Sequence, residues 1–260
     1  MLETLRNAFK VKDIRNRIIF TFLMLIVIRI GSQLPVPGVN GEVFRSWFES
    51  QAAGLGFFDA ITGGSFLSMS VFALNITPYI TSSIIMQLLT IAIPALEEMH
   101  KDGEDGRKKI AEITRYLTIG LALFESSAMT YGFWRSGYLL EKNALTVITV
   151  VTALTAGSAV LMWIGERITE KGVGNGISIV LVINIISRIP ADMGALWNQF
   201  VDGKGLLQGV IAVVVILAIV IGMVVFVIIL QGAERRIPVQ YSKKMQGRKQ
   251  VGGQQTHIPL

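Results

Sequence analysis

The chain has 260 residues, of which 52% are hydrophobic and 16% charged, and its formal net charge is +6. Its mean hydropathy of +0.56 excludes an ordinary soluble domain. It has no cysteine and only two histidines, which excludes disulfides, a thiolate zinc site and a cage of histidine ligands. We therefore expect an all-α polytopic membrane protein with no metal and no cofactor.

Six apolar segments predict six membrane spans. The first, residues 18–34, follows a basic amphipathic tail at 1–17 and runs directly into Leu-Pro-Val-Pro-Gly at 34–38. Because no small-residue cleavage site follows the apolar stretch, we interpret it as an uncleaved anchor rather than a signal peptide. The third to sixth spans are predicted at about 116–134, 144–165, 176–190 and 206–230.

The second apolar segment is too long for one span, since 37 residues without a charge run from Ala60 to Leu96. One straight helix of that length would measure roughly 55 Å, whereas the hydrocarbon core is about 30 Å thick. Gly63-Gly64 and Pro78 favour breaks, which leaves a short piece at 66–74 and a longer one at 76–96. We expect the short piece to be re-entrant and to lie against protein or a watery cavity.

The distribution of Lys and Arg predicts the orientation in the membrane. With the N-terminus inside, the inner segments hold 18 of these residues and the outer segments 5, and Arg29 lies within the first span. We therefore expect both ends of the chain in the cytosol.

Four sequence motifs resemble the SecY family, the central subunits of the bacterial protein-conducting channel. They match its second helix, the loop after that helix, the loop that enters its fifth helix, and the loop after its sixth. In this chain they read FALNITPYITSSIIMQLL at 72–89, GEDGRKK at 103–109, MWIGERITEKGVGNGIS at 162–178 and ERRIPVQYSKKMQGRK at 234–249. The family usually places glycine where this chain has Asn75.

The resemblance implies a SecY-like helical bundle of ten spans in two pseudo-symmetric halves. This chain is similar to the N-terminal half, 18–190, plus the sixth span, 206–230, and a basic cytosolic loop at 231–260 that stops before the seventh span. We therefore expect a truncated or partial chain, or one piece of a split protein.

A ring of aliphatic side chains narrows the pore in this family. By motif, the positions in this chain are Ile80 and Ile84 on the second helix and Leu181 and Ile185 on the fifth. Each pair is spaced i, i+4, so that its members share a helix face. A narrow apolar constriction blocks ions because it dewets. The alternative is that these residues simply pack or face lipid.

The family also has a plug, a small helix that fills the outer funnel of the idle channel, and it corresponds here to about 57–70. Its small and polar residues are poor helix formers, which suits a segment that must leave its position easily. The alternative is a re-entrant packing loop without a gating role. The candidate plug residues are Phe57, Phe58, Ile61, Gly63, Gly64, Phe66 and Leu67.

Polar side chains inside the spans have two possible uses. Thr81, Ser83 and Gln87 lie on the helix that forms one side of the family's lateral gate, although ordinary helix packing explains them equally well. Arg29 and Glu125 are ionisable residues within spans, and they indicate either ion coupling or structural pairing.

The basic loop predicts a partner with phosphate or acidic groups, and in the family it binds the ribosome and the motor ATPase SecA. The alternative is topogenic charge alone. The candidate residues are Arg235, Arg236, Lys243, Lys244, Arg248 and Lys249. The glycine-rich run at 172–176 has no preceding strand and no Walker lysine, so we interpret it as a turn that starts the fifth helix.

The resemblance therefore implies a passive channel subunit of the bacterial plasma membrane rather than an enzyme. It would translocate unfolded secretory polypeptides and release membrane segments laterally. Implied partners are SecE, SecG, SecA, the ribosome with its RNA, signal peptides, nascent polypeptides and membrane lipid. The competing functions are a secondary transporter, which should show more charged ligands inside the membrane, and a pore-less insertase scaffold.

Overall fold

The computed structural model describes residues 10–50, 56, 59–233, 236–239, 244–246, 249–251 and 256–259. The helices are α1 (Lys12–Gly31), α2 (Gly41–Ser50), α3 (Thr77–Ala92), α4 (Pro94–Lys101), α5 (Glu104–Ser136), α6 (Ala144–Lys171), α7 (Gly176–Phe200) and α8 (Leu206–Gln231).

Short strands in the basic loop were not predicted. They are β1 (Arg236–Val239), β2 (Lys244–Gln246), β3 (Lys249–Val251) and β4 (Thr256–Pro259). β1 pairs antiparallel with β4, and β2 with β3. The all-α prediction therefore holds for the bundle, and the described strands are confined to its basic extension.

The chain forms two compact units, residues 1–190 and 191–260, and the boundary lies at Pro190 inside α7. In the first unit, α3, α5 and α6 pack in succession, and α1 packs on α6. In the second unit, the end of α7 and the helix α8 enclose a cavity of about 140 Å³ beside Trp197 and Ile216.

Each predicted span contains helix, but the span count of six stays a prediction. Among the described residues, α6, α7 and α8 are each long and apolar enough to cross a membrane, and α3 with α4 adds a fourth candidate if the bent pair is one span. α1 begins at Lys12, so part of the predicted cytosolic tail is the first turns of that helix.

The second apolar segment has the predicted breaks before residue 77 and a further bend that was not predicted. Pro78 does not kink a helix, because it lies in the first turn of α3, where a missing N–H costs little. The bend is at Pro94, where α3 and α4 meet at 101°. Ile93 before it is extended, with φ −110° and ψ 113°, as the residue before a proline prefers. The expected single helix over 76–96 is therefore wrong, and the piece at 66–74 forms turns rather than a helix.

A seam of small residues joins α5 to α6. Every fourth residue of α5 from 114 to 130 is small and buried, namely Thr114, Thr118, Ala122, Ser126 and Thr130. The hydroxyls of Ser126 and Thr155 lie 2.9 Å apart across the seam. Small side chains let helices approach closely without a hydrophobic driving force in lipid, which explains this antiparallel pair.

Two apolar clusters hold the remaining elements. The first is built around Phe44 of α2, whose ring contacts those of Phe66, Phe133 and Tyr138 at centroid distances of 5.5–5.9 Å. The second joins α1, α3, α6 and α7, and its fully buried members include Ile28, Ile76, Ile164, Ile168 and Val180.

Gly157 on α6 marks the closest approach between a helix and the turns that precede α3. A Cβ added there would overlap the carbonyl oxygen of Val71, whereas one added at Gly120 on α5 would meet no atom within 4 Å. We expect Gly157→Ala to destabilise the detergent-purified protein by about 1–3 kcal/mol, as overpacking does. Gly120→Ala should be neutral or stabilising by up to about 1 kcal/mol. Thermal unfolding measures both, and equal effects would contradict the close packing.

Candidate functional site

Residues 59–76 form a folded loop between α2 and α3. The loop is helical at 59–62 and then turns continuously to residue 76. Gly63 and Gly64 have φ values of +67° and +86°, a region that residues with a Cβ rarely adopt. The double glycine therefore ends the short helix, as the sequence predicted for a break at this point.

The folded loop satisfies much of its own backbone. Asp59 Oδ1 accepts a hydrogen bond from the N–H of Leu67 (2.9 Å), and Thr62 Oγ1 accepts one from Phe66 (3.3 Å). The N–H of Ser70 donates to the carbonyl of Ser65 (2.9 Å). Such closure matters because non-helical backbone in an apolar bundle has no water to bind.

The end of the folded loop is tied to the chain that follows α1. The N–H of Val36 donates to Met69 (2.8 Å), and the N–H of Val71 donates to Leu34 (2.9 Å). The Leu-Pro-Val-Pro-Gly run, whose prolines cannot continue α1, therefore pairs with the folded loop instead.

On its other side, the folded loop is held against α7 by polar contacts. Arg188 Nη1 lies 2.7 Å from Asp59 Oδ2, and the Asp59 side chain is 0% exposed. The Asn184 side-chain amide donates to Asn75 Oδ1 (3.0 Å), and the Asn75 amide donates to the carbonyl of Ile61 (3.2 Å). Gly63 lies so close to α7 that an added Cβ would be 2.5 Å from the Asn184 carbonyl oxygen.

These contacts come from one face of α7. Gly176, Val180 and Asn184 are buried at i, i+4 spacing, and Arg188 is the next member of the series. Helical periodicity places them in one line along the helix, so the line changes from apolar to polar as it reaches the folded loop.

Of the predicted ring residues, Leu181 and Ile185 lie beside this line on α7, and Ile80 and Ile84 lie on α3. Ile80 and Leu181 are half-buried and pack against the second apolar cluster. Ile84 and Ile185, one turn further along their helices, are 52% and 46% exposed. The structure thus brings the first two positions to one cluster and leaves the other two facing open space.

The predicted plug residues that the structure describes contact different parts of the bundle. Phe66 and Leu67 pack against the first apolar cluster, Ile61 and Gly64 are half-buried, and Gly63 is buried against α7. Phe57 and Phe58 lie outside the described residues.

Two of the three predicted gate residues line a cavity between α3 and α5. Ser83 and Gln87 share about 170 Å³ with Tyr79, Thr90 and Thr114, whereas Thr81 is not part of its lining. The cavity therefore has hydroxyl groups on both helices and one side-chain amide, that of Gln87 on α3.

The two candidate ion-coupling residues are not brought together. Arg29 lines a largely apolar cavity of about 630 Å³ with Ile183 of α7, and its Nη1 has no hydrogen-bond partner among the described residues. Neither Arg29 nor Glu125 forms an ion pair in the described part of the chain.

The basic candidates are described only in part. Arg236, Lys244 and Lys249 lie in β1, β2 and β3. Arg235, Lys243 and Arg248 lie outside the described residues.

The glycine-rich run is a helix start, as predicted. Asn175 Oδ1 accepts hydrogen bonds from the N–H groups of Ile177 (3.0 Å) and Ser178 (3.4 Å), and Thr169 Oγ1 accepts one from Gly176 (2.9 Å). These side chains occupy the donors that a phosphate would need.

Sequence reasoning missed three residues of this site, namely Asp59, Asn184 and Arg188. A usable signal was present, because Asp59 borders the long uncharged segment and Arg188 interrupts an apolar span. Charged residues in such positions usually have a specific partner, but the pattern does not say which charges meet.

Together these features define a polytopic helical membrane protein with a folded, polar-anchored loop inside its bundle. The family model for SecY matches residues 70–260. The chain therefore belongs to the SecY family.

The similar proteins include curated relatives and solved structures. The protein translocase subunits SecY of Bacillus licheniformis and Halalkalibacterium halodurans are 46% and 43% identical over the whole chain, which spans 61% of their length. A solved protein-conducting channel covers 95% of this chain and 52% of its own, with a TM-score of 0.53 at 18% identity. The alignment with canine Sec61 from a ribosome–channel complex covers 92% of this chain and 53% of the Sec61 chain, with a TM-score of 0.52 at 17% identity. The fold is thus that of the SecY and Sec61 channels.

The cap of α7 offers a matched test. Asn175 and Asn143 both precede helices, but the Asn143 side chain makes no cap hydrogen bond. We expect Asn175→Ala to lower the unfolding free energy by about 1 kcal/mol and Asn143→Ala to lower it less. Thermal unfolding of the purified protein measures the difference. An equal loss in both variants would show that the cap contributes nothing.

Proposed function

We propose that this chain is part of a protein-conducting channel subunit that translocates unfolded polypeptides across the plasma membrane. The observation that supports this most is the folded loop, which lies against α7 beside the face that carries Leu181 and Ile185. A loop of turns is tolerated inside an apolar bundle only where it is buried in protein or lines a wet cavity. A removable plug next to a narrow aliphatic ring satisfies both conditions.

In this proposal, Ile80, Ile84, Leu181 and Ile185 form part of the constriction. Their partial exposure supports a position at the border of an open path, since full burial would leave no surface for a passing chain. Aliphatic groups exclude ions by dewetting, and they offer a sliding polypeptide no fixed hydrogen bond. Residues 57–70 act as the plug that fills the path when no polypeptide is present.

The gate and the outer partners are further parts of the proposal. Thr81, Ser83 and Gln87 lie on α3, which would form one side of the lateral gate. Hydrogen bonds of about 0.6–2 kcal/mol each would hold the two sides together and still let them separate. SecE and SecG would complete the membrane complex, and signal peptides, nascent polypeptides and lipid would meet at the gate.

The basic loop would lie in the cytosol, with the N-terminus on the same side. Its candidates Arg235, Arg236, Lys243, Lys244, Arg248 and Lys249 suit ribosomal RNA or the motor SecA, because binding to phosphate or acidic surfaces depends on positive charge more than on sequence. The similarity to a Sec61 channel solved in complex with a ribosome supports this assignment.

Crosslinking tests the path of the polypeptide. Single cysteines at Ile80, Ile84, Leu181 and Ile185 can be placed in a full-length protein that has no other cysteine, and these 260 residues contain none. A stalled secretory polypeptide with a photoreactive probe should link to these positions. A cysteine at Ile148, which is 63% exposed on α6, should link weakly. Stronger links at Ile148 than at all four positions would contradict the proposed path.

Ion leak tests the constriction. Ile84→Ser should raise the idle ion conductance of the reconstituted full-length channel severalfold, because a hydroxyl stabilises water in the neck. Ile148→Ser makes the same chemical change on an exposed surface and should leave the conductance unchanged. An unchanged leak in Ile84→Ser and in the equivalent Leu181 and Ile185 variants would rule out an aliphatic seal.

A further inference from the structure

We propose that Asp59, Asn75, Asn184 and Arg188 are positioning residues that hold the folded loop on α7 and set how readily the channel opens. This inference rests on the proposed function, because it assigns the closed position of the plug to particular side chains. None of the four was a site candidate in the sequence.

Two ties hold the folded loop on α7, the ion pair between Asp59 and Arg188 and the amide bridge between Asn75 and Asn184. The ion pair is the stronger of the two. The Asp59 carboxylate is fully buried, and the Arg188 side chain is 28% exposed. A buried carboxylate is tolerated when a cation and hydrogen bonds compensate it, and removing one partner is strongly destabilising. Asp59 has both kinds of compensation, from Arg188 and from the N–H of Leu67. If the loop leaves α7, water can reach both charges, so that the pair favours the seated loop without making its release impossible.

The amide bridge is the second tie, and it depends on the backbone of Asn75. Asn75 has φ +53°, in the left-handed region that asparagine tolerates better than other residues with a side chain. A glycine would fit this backbone as well. Only asparagine adds a side chain that reaches both Ile61 and Asn184. The amide bridge therefore depends on the side chain of Asn75, whereas the backbone conformation at this position does not.

The two ties act on successive turns of one helix. Asn184 and Arg188 are four residues apart, and Gly63 packs against the backbone of Asn184 between them. Lifting the loop therefore breaks the ion pair, the bridge and the close contact together. This geometry makes the release a cooperative step rather than a gradual one.

The test uses the full-length protein, assembled with its membrane partners in planar bilayers, and measures idle ion conductance. Arg188→Gln leaves a buried carboxylate unpaired and should raise the leak by about tenfold or more. Asp59→Asn keeps an oxygen for Leu67 and removes only the charge, so its effect should be large but smaller. Asn75→Gly keeps the backbone conformation and should raise the leak about two- to tenfold, as expected for the loss of one or two buried hydrogen bonds.

Three controls separate a positioning role from a general loss of structure. Arg188→Lys keeps the charge and should retain most of the closure. Arg115→Gln breaks a different ion pair, with Glu166 at 2.7 Å, and should not change the leak. The double variant Asp59→Asn/Arg188→Gln should leak no more than Arg188→Gln alone, because the pair is already broken in the single variant.

A chemical rescue covers the case in which the charge variants fold poorly. In Asp59→Cys/Arg188→Cys, a short bismaleimide should close the leak and block translocation, since the two side chains meet in the closed arrangement. A leak that bridging does not reduce would overturn the proposal. So would an unchanged leak in Arg188→Gln and Asn75→Gly while Ile84→Ser does leak, and in that case the channel function would stand. If Ile84→Ser also leaves the leak unchanged, the proposed function itself fails.

Discussion

The folded loop depends on one physical constraint, which is that backbone polar groups inside an apolar bundle must find partners within the protein. Helices meet this constraint by themselves, but residues 59–76 do not form a continuous helix. They meet it through Asp59 and Thr62, which accept from the loop's own N–H groups, and through the pairing with the chain after α1. Their contacts with α7 follow from the same requirement, because the carboxylate that closes the loop must itself be compensated.

This requirement also organises α7. One line of the helix, from Gly176 through Val180 to Asn184, is buried, and its polar end meets the folded loop. The neighbouring face is aliphatic and partly open, with Ile185 46% exposed. A single helix therefore carries polar positions that hold the folded loop, Asn184 and Arg188, beside an aliphatic face with Leu181 and Ile185. The proposed channel function would use both, since the polar positions would hold a closing loop and the aliphatic border would admit a polypeptide without binding it.

The helices were predictable where local pattern decides the structure. Long apolar segments gave α6, α7 and α8, because hydropathy and length suffice for a spanning helix. The break near Pro78 was predicted, and α3 begins there, but the bend at Pro94 was not, since the effect of a proline depends on its position in the helix. Asp59 and Arg188 were missed because the sequence between them does not encode which charges meet across the fold. Asn75 was recognised as a departure from the family, but its contact with Asn184 needed the three-dimensional structure.

The folded loop combines two properties, a low helix propensity and specific buried contacts with α7. Its glycines and serines are poor helix formers, and weak local structure favours easy movement. Its contacts with α7 are few but buried and partly ionic, and such contacts lose much of their strength once water enters. A segment with this combination is held firmly in one position and has little reason to hold a partly displaced one. Local weakness and specific anchoring are thus complementary properties of the same loop, and in the proposed plug they would favour two distinct positions over a continuum.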